Sequence, residues 1–162
     1  MPNPCTHVII NLLLFFPFGK KLGRYWVIFA TVYGLLSDFD FVIGWILKYF
    51  GIINSFFGHG GFFHSFCFPF ILLIISLIIY YKNKELGIYG LILTIGTAMH
   101  ILIDFVLGGG DYSLMLFFPI STETFRLHLL ESYKFIDIYG ILDAFLIMCT
   151  IILSWVKIRK NI

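Results

Sequence analysis

Inside the apolar stretch LGIYGLILTIGTAMHILIDFVLGG stand His100 and Asp104, four residues apart. On a helix that spacing places both on one face, where an imidazole nitrogen and a carboxylate oxygen can converge on one cation. The competing reading is a hydrogen-bonded pair that joins two helices. Asp38 and Asp40 lie in a second apolar stretch, GLLSDFDFVIG. A regular helix cannot aim both acids one way, so either the helix breaks there or the two have different tasks, one as a metal ligand and the other as a catalytic base or orienting group. The segment FFGHGGFFHSF adds His59 and His64 among glycines that let the backbone turn back on itself, and His64 is the stronger candidate. Imidazole suits zinc, nickel or iron, whereas carboxylates accept manganese or magnesium; a mixed set favours zinc.

These residues need a scaffold, and the composition defines its class. The chain has 162 residues, of which 60% are hydrophobic, 20% aromatic and 12% charged. A mean hydropathy of +0.97 lies far outside the soluble globular range, so the expectation is one integral membrane domain over 1–162. The formal charge is only +2, with Lys and Arg in short clusters beside apolar runs, which gives no support to nucleic-acid binding. Cys5, Cys67 and Cys149 are odd in number and far apart, which suggests neither a disulfide framework nor a cysteine metal site.

Apolar runs near the ~20 residues that cross a bilayer predict four long spans, over 25–47, 65–81, 86–107 and 138–157. A shorter run at 8–18 predicts a retained N-terminal membrane helix. The fold expected is therefore all-α, a polytopic transmembrane helix bundle. Lys20, Lys21 and Arg24 precede the first span, Lys82 and Lys84 separate the second from the third, and Lys157, Arg159 and Lys160 follow the last. By the positive-inside rule these clusters and the C-terminus are cytoplasmic, and the segments 48–64 and 108–137 lie outside. Glu123, Arg126, Lys134 and Asp137 read as a solvated helical face within the latter. Counted from the cytoplasmic anchors at ~1.5 Å per residue, His7, Asp38, His100 and Asp143 all stand about 20–22 Å up. That common depth predicts a polar chamber opening to the outer face, with His64 at its mouth.

In order along the chain come His7, the acids Asp38-Phe39-Asp40, the loop His59-Gly60-Gly61-Phe62-Phe63-His64-Ser65, His100 with Asp104, and Phe118-Pro119-Ile120-Ser121. This succession resembles the YdjM-type membrane-bound metal-dependent hydrolases over roughly residues 1–125. Two departures stand out: Ser37 where that family often has Pro, and Gly60 where it often has Arg. That family is in turn similar to the zinc phospholipase C and P1 nuclease group, and the resemblance implies a core of that kind. It also implies metal-dependent phosphoester hydrolysis with one to three zinc ions. Under it His100, Asp104 and His64 share one ion, while His7 and either Asp38 or Asp40 bind another; a third would need His128 and Glu131, whose spacing departs from the pattern.

The function expected is a membrane-embedded hydrolase acting on a phospholipid or another amphiphilic phosphoester. Asp40 and Asp38 are its candidate catalytic acids. His7, Asp38, His64, His100 and Asp104 are the metal ligands, and His59, Asp143, Asp111 and His128 are supporting or substrate-facing candidates. Asp111 closes the run Gly108-Gly109-Gly110-Asp111, whose backbone N–H groups could meet a phosphate, though such a run is more often a plain turn. The alternatives are a cation- or proton-translocating protein that uses its intramembrane acids, and a non-catalytic bundle whose polar groups only join helices.

Overall fold

The computed structural model describes residues 4–22, 25–52, 60–108, 113–127, 129 and 145. The expected span 138–157, with Asp143, lies outside the described residues, as do His59, Asp111, His128 and Glu131. The described part is all-helical apart from one isolated antiparallel bridge between Leu114 and Phe125. It comprises α1 (Pro4–Phe15), α2 (Trp26–Tyr33), α3 (Phe39–Tyr49), α4 (Cys67–Lys82) and α5 (Lys84–Leu107), with 3₁₀ turns at Phe16–Phe18 and Phe62–His64.

The centre of the bundle is α5, packed against α1, α2 and α4. Its 24 residues reach about 36 Å, and among the described residues it is the one helix long and apolar enough to cross a membrane. Its start is set by Asn83, whose side chain accepts a hydrogen bond from the Leu86 N–H at 3.1 Å and satisfies one of the helix's orphan donors. The same residue ends α4, so two antiparallel helices meet with a single residue between them. That close hairpin depends on small residues: a Cβ at Gly87 would sit 2.2 Å from the Tyr80 Cα, and one at Gly90 would sit 2.6 Å from the Ser76 hydroxyl. Ser76 and Thr94 face each other across the seam at 3.4 Å.

Of the four long spans expected, 86–107 is met by α5, 138–157 falls outside the described residues, and the other two are shorter pieces. α4 has 16 residues, about 24 Å, which is less than a full crossing by length alone. Residues 25–47 do not form one helix; they are cut into α2 and α3. Through the break, hydrogen bonds to the third preceding residue replace those to the fourth: Leu35 to Val32, Leu36 to Tyr33, Phe39 to Leu36 and Asp40 to Ser37, at 3.1 to 3.4 Å. Near the N-terminus, α1 begins at Pro4 instead of residue 8, so His7 lies within a helix and not at its end. Asn11, further along the same helix, donates to the Gly96 carbonyl at 3.4 Å and ties α1 to α5.

The burial pattern is inverted relative to a soluble domain. Fully covered side chains include Thr6, His7, Asn11, Ser37, Asp40, His64, Thr97, His100 and Asp104, whereas Ile28, Trp45, Phe70, Ile78 and many other large apolar residues are exposed. Polar inside and apolar outside is the arrangement that hydrocarbon solvent favours. Residues 113–127 make a turn at 116–120 between non-helical pieces that meet the C-terminal end of α5, contrary to the solvated helical face expected around Glu123 and Arg126; Lys134 and Asp137 of that face lie outside the described residues. Leu114 and Phe125 exchange hydrogen bonds of 3.0 and 2.8 Å, and the Leu127 N–H reaches the Phe105 carbonyl at 3.1 Å.

Candidate metal centre

Three separated parts of the chain meet at one point. From α5 come His100 and Asp104; from the 3₁₀ turn comes His64; from the α2–α3 break comes Asp38. One donor atom from each lies within 4.8 Å of all the others. The Nε2 atom of His100 is 3.2 Å from Asp104 Oδ2 and 3.4 Å from Asp38 Oδ1. The Nε2 atom of His64 is 3.3 Å from Asp104 Oδ2 and 3.8 Å from Asp38 Oδ1. A four-coordinate ion with bonds of about 2.1 Å holds its donors about 3.4 Å apart, so the spacing is that of a coordination shell.

The distal nitrogens decide which way each imidazole presents its lone pair. His100 Nδ1 lies 2.8 Å from the Gly34 carbonyl oxygen, which can only accept, so Nδ1 carries the proton and Nε2 is the free donor atom. His64 Nδ1 lies 2.8 Å from Asp40 Oδ2, which fixes that ring in the same sense. Carbonyl–His and carboxylate–His pairs of this kind orient metal ligands and raise their basicity. The helix break makes both possible. It frees the Gly34 carbonyl from the α2 ladder, and it lets Asp38 and Asp40, which a regular helix would aim apart, address opposite nitrogens of the same imidazole.

The remaining expected ligand, His7, comes from α1. Its ring stacks on His100 with centroids 3.8 Å apart and planes at 20°, and its Nε2 lies 3.3 Å from Asp104 Oδ1. Asp104 thus turns one oxygen toward His7 and the other toward His64 and His100. Asp38, one of the two acids that the resemblance would group with His7, lies 3.4 Å from His100 and 3.8 Å from His64. His7 Nδ1, His100 Nε2 and both oxygens of Asp104 are buried and make no hydrogen bond among the described residues. Buried polar atoms are nearly always satisfied, so atoms left over here have room for a further partner.

The chemistry of the group follows from its charge. Asp38 and Asp104 contribute two negative charges, the two histidines contribute lone pairs, and a divalent cation balances the set. These four residues form a group that can hold a metal ion. Asp38 is the exposed member, with 27% of its side chain open, while His64, His100 and Asp104 are sealed. Access to the centre is therefore from the Asp38 side.

The sequence profile of YdjM inner membrane proteins matches residues 1–161. The chain belongs to the YdjM inner membrane protein family. No curated protein and no solved structure matches it. Membership agrees with the many exposed apolar side chains and with the long apolar α5, which carries His100 and Asp104. Sequence reasoning did not find Gly34, whose contribution is a backbone oxygen and leaves no side-chain signature. It also passed over Asn11 and Ser37, both buried beside the cluster; Ser37 adjoins Asp38, and its hydroxyl makes no hydrogen bond among the described residues.

Proposed function

We propose that this YdjM-family protein is a membrane-embedded, metal-dependent hydrolase of phosphoester bonds in an amphiphilic substrate, with zinc held by Asp38, His64, His100 and Asp104. The observation that carries the reading is the convergence of two imidazoles with their distal nitrogens already engaged on two carboxylates, at edge lengths that suit zinc. The ordered motifs shared with metal-dependent membrane hydrolases, and through them with the phospholipase C and P1 nuclease group, supply the reaction class. A divalent cation in this place provides charge neutralisation and Lewis acidity toward a phosphoryl group and lowers the pKa of a water molecule.

The chain's own residues divide the remaining work. Asp40, sealed and paired to His64, holds that imidazole in register and is not exposed to substrate. Asp38 faces the opening, so its carboxylate is the group placed to orient a water molecule and accept its proton. His7 borders the free side of Asp104, where its unengaged Nδ1 can meet a second cation or a phosphoryl oxygen. Burial of the centre excludes bulk water and strengthens each of these contacts.

In the reading favoured by the basic clusters the protein is multi-pass and the Asp38 side faces outward. One experiment tests metal, residues and side together. Purified protein is expected to carry zinc near one equivalent or above, and Asp104→Ala and His100→Ala to carry almost none. In sealed right-side-out vesicles an impermeant chelator is expected to strip the metal, and in inverted vesicles to leave it. Metal-free wild-type protein that also fails to take up added zinc would sink the reading.

A further inference from the structure

A cavity of about 310 Å³ lies between the start of α4 and the Phe117–Ile120 turn, with its first lining residue, Phe66, two positions after the ligand His64. Its walls include Phe66, Cys67, Phe70, Leu116, Phe117 and Pro119, and no residue lining it carries a charge or a hydroxyl group. A chamber of this kind stays dry and takes an apolar guest. Phe66 and Cys67 follow the ligand His64 by two and three residues, so their Cα atoms lie within about 7 and 11 Å of its own. The two walls are pinned to the ligand loop: the Phe66 N–H donates to the Leu116 carbonyl at 2.9 Å, and the Met115 N–H to the Gly60 carbonyl at 2.9 Å. Phe66, Phe70, Phe117 and Ile120 on its lining are all exposed, so its rim is apolar.

We propose that this cavity seats the acyl chain of a lipid phosphoester whose head group reaches the metal centre. The proposal rests on the hydrolase reading and names its substrate class. A peptide is the poorer guest, because its N–H and C=O groups would enter a chamber whose side chains offer them no partner. An acyl chain brings no such groups and enters directly from the bilayer. Because the chain passes from one hydrocarbon setting to another, little affinity comes from transfer itself. The gain is positional: a seated chain fixes where the phosphate stands relative to Asp38 and the ligand set.

The test uses metal-loaded full-length protein with Cys5→Ser and Cys149→Ser, in neutral detergent, and follows alkylation of Cys67 by a maleimide. Dodecyl phosphate at about four times its dissociation constant is expected to slow the reaction about fivefold. Dodecanol at the same mole fraction, and inorganic phosphate alone, should have little effect, and Asp104→Asn should remove the protection. Equal protection by dodecanol, or none by dodecyl phosphate, overturns the proposal; so does a Cys67 already shielded by self-association. A second arm, calorimetric titration of the cavity-filling variant Cys67→Trp, keeps the proposal testable if alkylation is slow in every sample. There the ratio of dodecyl phosphate to ethyl phosphate affinity should fall about tenfold, and an unchanged ratio refutes it. Protection by dodecyl phosphate in a protein that hydrolyses no phosphoester would uphold the pocket and remove the hydrolase reading.

Discussion

Asp40 and Gly34 place no atom at the point where the four donors converge, yet each fixes an imidazole that does. Gly34 acts through its carbonyl at 2.8 Å from His100 Nδ1, and Asp40 through its carboxylate at 2.8 Å from His64 Nδ1. Partners behind metal ligands typically change affinity by about 10–100-fold when removed, whereas loss of a ligand abolishes the site. Asp40→Asn is therefore expected to weaken zinc binding within that range while stoichiometry is retained, and Asp104→Ala to remove binding. Competition against a chromophoric chelator measures both. If Asp40→Asn binds as tightly as wild type, Asp40 does not orient His64; if it binds nothing, Asp40 belongs to the ligand set. The spacing of Asp38 and Asp40 made legible in sequence that either the helix breaks there or the two acids have different tasks. Which acid took which task was not legible, because the answer depends on His64 arriving between them from a different part of the chain.

At the scale of elements, hydropathy counts apolar residues and is blind to a break whose residues are themselves apolar. The segment 25–47 reads as one span because Gly34-Leu35-Leu36 continues the run, yet the backbone there tightens into short-range bonds and hands a carbonyl to α5. Most of the α5 helix was legible: the apolar length over 86–107 and the face bearing His100 and Asp104 lie within one continuous segment, whereas its start at Lys84 and the Asn83 cap emerged from the structure. The α4–α5 seam shows how such short helices still hold together. At Gly87 the obstructing atoms are Tyr80 backbone, with a Cβ reaching 2.2 Å from Cα and 2.6 Å from N, so the helices themselves must part. At Gly96 the nearest atom is the Asn11 side-chain amide, at 3.3 Å. Gly87→Ala is accordingly expected to destabilise the fold by about 3 kcal/mol, at or above the top of the usual overpacking range, and Gly96→Ala by about 1 kcal/mol. Thermal unfolding in detergent followed by circular dichroism orders the two. Equal losses would mean that the seam is looser than the close Gly87 approach implies.

Among the described residues many large apolar side chains are exposed, and the two buried apolar clusters, around Tyr89 and Ile92 and around Ile101 and Leu114, lie beside an extensive set of buried polar residues; lipid tails solvate Leu and Phe as well as the protein does, so in a membrane protein hydrophobic transfer adds less cohesion than it does in water. What the interior offers instead is polar pairing, and at the metal centre that pairing is incomplete without a cation. His100 Nε2 and both Asp104 oxygens are buried with no hydrogen bond among the described residues, and Asp38 adds a second carboxylate to the same point. Since α5 supplies two of the four ligands while the 3₁₀ turn and the α2–α3 break supply one each, a bound ion ties together three parts of the chain that share few other polar contacts. A ligand that binds the folded state alone stabilises it by mass action, about 2.7 kcal/mol at a free concentration one hundred times its dissociation constant. Chelation should therefore lower the unfolding temperature of the wild-type protein, and restoring zinc should recover it. In Asp104→Asn, where the bridging carboxylate is gone, chelator and zinc should leave the unfolding temperature where it stands. A wild-type protein equally stable with and without metal would show that its polar interior is closed by protons shared between imidazoles and carboxylates, and the centre would then be a joint between helices.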